Sequence, residues 1–149
     1  MKQPPSQLVN LLIGKSILET ILVGAIAVVV FLNTFPPTFR GWGEAVVDSR
    51  SIAGWVVNTA APWDRVEVQL FIDGKLEGAQ VANLSRPDVV KAGWAKDEWH
   101  GYNFTVPGLA TGSHEARVYA LHRNGDKFTL QLLGEPIRFE MLADGSWRH

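Results

Sequence analysis

Of the four histidines, His100 has the neighbours that most suggest chemistry. Asp97 and Glu98 stand just before it in WAKDEWH (residues 94–100), and an imidazole with two carboxylates can hold a divalent ion weakly. The spacing matches neither HExxH nor any other pair of metal ligands, so no metal site is expected. Ser113 and His114 are adjacent. In a strand, adjacent side chains point to opposite faces, so these two cannot act as nucleophile and base. No carboxylates read as a glycosidase couple, and Asp73-Gly74 is turn chemistry rather than a phosphate cradle. The expectation is a protein without catalytic residues or cofactor, not an enzyme. The rich signal is tryptophan, with six in 149 residues. Trp55 follows Gly54 in a strand-like run and is expected in the core. Trp63, Trp94 and Trp99 fall in loops, where flat indoles either stack on sugar rings or cap the open end of a fold. The candidate binding residues are therefore Trp63, Trp94, Asp97, Glu98, Trp99 and His100. Arg86 joins them, because its guanidinium can take an anion or pin its own loop through Asp88.

Composition narrows the classes of partner. The net charge is −1, and from Phe35 onward twelve basic residues face fourteen acidic ones, so no overall field draws in nucleic acid. Cysteine is absent, which excludes a disulfide framework, a thiol nucleophile and cysteine–zinc sites.

The elements that must position these residues come in two kinds. Residues 8–35 read LVNLLIGKSILETILVGAIAVVVFLNTF, and Ile21 to Leu32 carries no charge. Extending back to Ile17 takes in Glu19 and approaches the roughly 20 residues that a bilayer core needs, so the expected span is Ile17 to Phe35. Lys15 lies one helical turn before Glu19 and can pair with it near the membrane surface. The alternative is a functional Glu19 inside the membrane with a partner helix; its place near the end of the expected span favours the simple anchor. Leu32 to Phe35 form no small-x-small cleavage site, which implies an uncleaved signal anchor. Lys2 and Lys15 precede the span and no basic residue follows until Arg40. That places the N-terminus in the cytoplasm and the main domain outside. Pro36 and Pro37 end the helix. Trp42, just beyond them, is of a type that settles at a membrane interface.

Beyond Arg40 the period changes to two. Val66, Val68, Leu70 and Ile72 alternate with polar residues. So do Tyr102, Phe104 and Val106, then Ala116, Val118 and Ala120, then Phe128, Leu130 and Leu132, then Ile137, Phe139 and Met141. EAVVD and SIAGWVVN precede them. Asp73-Gly74 and Asn124-Gly125 mark hairpins, the first because Gly74 can take positive φ. About eight short strands at this spacing predict an all-β sandwich of two sheets. NLSRPDVVKAGWAKDEWHGY (residues 83–102) interrupts the alternation. Ser85 and Asp88 have the spacing of a capping box, Pro87 fits a first turn and Gly93 fits a stop, so residues 86–92 are expected to be one short helix in a crossover. The expected organisation is a cytoplasmic segment (1–16), an anchor (17–35), a linker (36–43), a sandwich (44–142) and a tail (143–149).

IAGWVVN, VEVQLFIDGKLEG, SRPDVVKAG, HGYNFTVP and GSHEARVYAL, taken together, resemble a bacterial immunoglobulin-like module. The likeness covers roughly residues 51–121, and Asn58 stands where an acidic residue is commoner. The resemblance implies an immunoglobulin-like sandwich in an accessory role at the cell envelope, and it carries over no catalytic residues. The function expected is a membrane-anchored module that engages another envelope protein, with a glycan as the alternative ligand.

Overall fold

The computed structural model describes residues 6–34 and 38–148. The expectations that fall on Lys2, on Phe35, Pro36 and Pro37, and on His149 lie outside these residues. The chain divides into two compact units, residues 1–36 and 37–149.

The first unit is one helix, α1 (Ser6–Thr34). A largely apolar sequence without proline keeps every backbone bond inside the segment. The stretch Val9–Val30 is long and apolar enough to cross a membrane. The expected span, Ile17 to Phe35, shares Ile17 to Val30 with this stretch, and its end at Phe35 lies outside the described residues. Lys15 Nζ lies 3.6 Å from Glu19 Oε1, the expected one-turn pair. The Thr20 hydroxyl donates to the Ser16 carbonyl at 2.8 Å and so satisfies itself within the helix.

The second unit is mostly β and builds two antiparallel sheets. One has the order β1 (Phe39–Val46), β2 (Ser51–Asn58), β6 (Trp99–Thr105), β5 (Leu84–Ser85). The other runs β10 (Trp147–Arg148), β9 (Ile137–Met141), β7 (Gly112–Asn124), β3 (Glu67–Ile72), β4 (Lys75–Val81). β8 (Lys127–Leu132) pairs with the far half of β7. The period-two residues face each other across the gap. Ile52, Val56, Tyr102 and Phe104 of the first sheet pack with Val68, Leu70, Ile72, Val118 and Phe139 of the second. Gln131 clasps the sheets at one edge: its amide accepts from Phe39 N–H at 3.0 Å and donates to Phe39 C=O at 2.8 Å.

Several expected boundaries move. β1 starts at Phe39, so most of the expected linker is strand, and Val47 and Asp48 of EAVVD lie in the turn that follows. The expected tail contains β10, where Trp147 is buried and stacks on Phe139 at 4.5 Å. The second hairpin turns on Gly125 and Asp126, since Asn124 pairs with Lys127. The Asp73-Gly74 hairpin is as expected, with φ of 49° and 79°.

Candidate binding surface

The crossover from β5 to β6 lies over the outer face of the first sheet. α2 (Pro87–Lys91) forms there and ends where Gly93 takes φ of 77°. No side chain caps its start. Ser85 belongs to β5, paired with Trp99, and its hydroxyl donates to Glu98 Oε2 at 2.9 Å instead. The cross-strand partner has outcompeted the local cap. Arg86 forms the fork expected of it: Nε and Nη2 donate to the two Asp88 carboxylate oxygens at 2.8 and 2.7 Å. That bond holds the Asp88 carboxyl below its ordinary range. The Arg86 stem also packs where a side chain at Gly101 would stand, 2.8 Å from its Cγ. Arg86 therefore ties the crossover to β6.

Beneath the crossover sits a second small core of Trp55, Val57, Val89 and Ala95. Trp94 closes it. One face of its indole stacks on Trp55 at 4.9 Å between centroids, and the Arg40 guanidinium carbon lies 4.3 Å from the centroid. Although Trp94 is 40 % exposed, a stacking ligand would have to displace one of these neighbours.

Trp63 and Trp99 are placed differently. They are 62 % and 46 % exposed, with no ring partner recorded among the described residues. Trp63 lies in a loop as expected, whereas Trp99 is not in a loop but opens β6, paired with Ser85, and hydrogen bonds join the two segments. Arg65 Nη1 donates to Trp63 C=O at 3.0 Å and Nη2 to Asp97 Oδ2 at 3.2 Å, while Asp97 Oδ1 accepts from Trp99 N–H at 3.0 Å. Burial alone would raise the Asp97 carboxyl, but the Trp99 N–H and the Arg65 guanidinium hold it below its ordinary value. The result is a salt-bridged junction between residues 63–65 and 97–99, with the Trp63 and Trp99 indoles exposed beside it. The two halves, Trp63 with Arg65 and Asp97 with Trp99, are joined across 32 positions of sequence between Arg65 and Asp97, and only the fold brings them together.

His100 is not the solvated ligand its neighbours suggested. It follows the strand period with Tyr102 and Phe104, points inward and is 0 % exposed. Neither ring nitrogen completes a hydrogen bond, and Asp97 Oδ1 stands 3.4 Å from Nε2. Desolvation holds its pKa below 6.5, against the opposing pull of Asp97. Among the described residues, no three His, Asp or Glu side chains are grouped as metal ligands. His114 shows the opposite chemistry. Besides the expected backbone bond, from Nε2 to Ala110 C=O at 2.7 Å, its Nδ1 meets Asp73 Oδ2 at 2.7 Å. Two acceptors favour the doubly protonated ring, and Asp73 first, then Ala110, raise its pKa.

The two histidines therefore oppose each other in pH. His100, lowered in the fold, contributes stability above about 6.5 that is lost as pH falls below it. His114, raised in the fold, contributes stability that is complete below about 6.5 and lost as pH climbs through its folded value. Thermal melts at pH 7.5 and 5.5 on the fragment from Thr38 check both. His100→Gln is expected to flatten the loss on the acid side, and His114→Gln to lower the melting point more at pH 5.5 than at 7.5.

No protein-family model, curated protein or solved structure matches this chain.

Proposed function

We propose that this chain is a single-pass membrane protein whose β unit is an immunoglobulin-like module outside the cytoplasm. In this reading the module binds another protein of the bacterial envelope and catalyses nothing. The strand order supports the fold. The order β1-β2-β6-β5 in one sheet, with β7 beside β3 in the other, supports reading β1, β2, β5 and β6 as strands A, B, D and E and β3 and β7 as C and F. The apolar α1 supports the anchor.

The observation that carries the binding reading is the Trp63–Arg65–Asp97–Trp99 surface. Tryptophan and arginine dominate the energetic centres of protein interfaces, and indoles left exposed beside a fixed ion pair have that chemistry ready-made. Co-purification from mild detergent tests it with the full chain against Trp63→Ala/Trp99→Ala. The double variant is expected to keep the wild-type unfolding free energy within about 0.5 kcal/mol. It is expected to weaken partner recovery by at least about thirtyfold, the equivalent of one hot-spot residue. Equal recovery by both chains would reject this surface. A glycan is the second reading, supported by the same two indoles. It predicts binding on a glycan array by the fragment from Thr38, abolished by the same double substitution and indifferent to Trp94→Ala.

A further inference from the structure

The end of the sandwich away from Trp63 and Trp99 holds a cavity of about 370 Å³, the size of a small-molecule site. β2 starts beside it at Ser51, and β6 ends beside it at Thr105. Val106, Leu109, Met141 and Trp147 give it apolar walls. Arg50 brings the one charge among the described residues that line it.

Arg50 is placed there against its backbone preference. Its N–H donates to the Val47 carbonyl at 3.2 Å and closes the turn between β1 and β2, and its carbonyl accepts from the Val106 N–H at 3.1 Å. Its φ is 47°, in the left-handed region that disfavours any residue with a Cβ. The other non-glycine residue with positive φ among the described residues is Asp73, and there the tight hairpin demands it. A glycine would close the Val47–Arg50 turn without strain. What arginine adds is its guanidinium, and strain of this kind gathers at binding sites.

That guanidinium is also the one arginine head left over. Arg65, Arg86, Arg117, Arg123, Arg138 and Arg148 each pair with a carboxylate, and Arg40 lies over the Trp94 ring. Arg50 has no such partner among the described residues. Its Nη1 stands 3.8 Å from where a Cβ on Gly145 would be, so it reaches the turn that follows β9. Asp144 of that turn is taken by Ser146, whose N–H and hydroxyl donate to its Oδ1 at 2.9 and 2.6 Å. The N–H groups of Gly108 and Leu109, which also line the cavity, have no acceptor among the described residues, and neither has the buried ring N–H of Trp147. Spare donors and one spare cation over apolar walls suit an anion that carries an apolar body. The planar fork of a guanidinium matches a carboxylate.

We infer that this cavity binds a small organic carboxylate, its charge on Arg50 and its apolar body against Val106, Leu109 and Met141. The site is independent of the Trp63–Trp99 surface and of the reading of α1 as an anchor.

Saturation-transfer NMR on the full chain in mild detergent tests it with probes that share one branched body. 4-Methylpentanoate represents a free acid and N-acetyl-leucine the carboxyl end of a peptide. The corresponding amides lack the charge. At least one acid is expected to bind saturably and about tenfold more tightly than its amide, as befits a hydrogen bond to a charged group. The tighter acid identifies the source. Arg50→Gln and Arg50→Gly are each expected to weaken that acid about tenfold, and Arg50→Gly to do so without lowering the melting point, because glycine is at ease in the turn. No saturable binding of either acid, equal binding of acid and amide, or binding that survives both substitutions overturns the site.

Discussion

Gly54→Ala is expected to destabilise the β unit by about 3 kcal/mol, the upper end for overpacking a closed core. A methyl group at this position would lie 2.5 Å from the Tyr102 hydroxyl, 2.7 Å from its Cζ and closer still to the Trp42 carbonyl oxygen. Tyr102 is almost wholly buried and donates its hydroxyl to that same carbonyl at 3.1 Å, so the new methyl would break the bond as well as crowd it. Gly43, opposite Gly54 on β1, makes the control. There a methyl would meet the Tyr102 hydroxyl at 2.5 Å and nothing else nearer than 3.5 Å. Tyr102→Phe removes the hydroxyl but leaves the Trp42 backbone where it is. Urea unfolding of the fragment from Thr38 should therefore show Gly43→Ala largely rescued in the Tyr102→Phe background and Gly54→Ala hardly rescued. Equal rescue of the two would mean that the strands move apart more easily than this packing implies.

Gly43 and Tyr102 also help to explain why β1 was hard to read. Its inward positions are Phe39, Gly41, Gly43 and Ala45, and two of them are glycine because Leu133 and Tyr102 fill the space that side chains there would take. A period-two apolar pattern is invisible when the core is supplied by the other strands. The strands that fill their own share, β3, β6 and β9, are plain in the sequence, as is the Asp73-Gly74 turn. β10 is two residues long, too short for any period, and is held by Trp147 in the core. His100 was misplaced for another reason. Its acidic neighbours outweighed its own register, although His100, Tyr102 and Phe104 share a parity that a strict count would have turned inward. Asp73 and His114 were each visible as parts of separate motifs. Their bond spans 41 residues, and nothing local announces it. The candidate surface was half legible. Trp63, Asp97 and Trp99 stand out by type and place, but Arg65, which joins them, looks like any exposed cation until the two segments are brought together.

Trp55→Ala is expected to be the costlier of the tryptophan substitutions beneath the crossover, at about 3–5 kcal/mol. Trp55 is 6 % exposed and anchors the small core on which α2 rests. Its loss removes the largest part of the floor under Val89, Ala95 and Trp94 together, leaving Val57 as the other buried β2 residue of that cluster. A domain of this size has only about 5–15 kcal/mol of net stability, so the variant should populate states with an open crossover well before global unfolding. Hydrogen exchange reads this directly, with amides of residues 86–100 losing protection ahead of those in β3 and β7. Trp94→Ala, at a half-exposed position, is expected to cost nearer 2 kcal/mol, and Arg40→Ala nearer 0.5–1 kcal/mol through the lost cation–aromatic contact. The double variant Arg40→Ala/Trp94→Ala decides whether the stack acts as a unit. If Arg40 stabilises the fold through the indole, its substitution adds almost nothing once Trp94 is gone. If the two costs add, the guanidinium works elsewhere and the outer face of Trp94 is free for a ligand. The first outcome leaves Trp63 and Trp99 as the exposed indoles available for recognition at this end of the sandwich. The second would move the binding surface inward, onto the crossover itself.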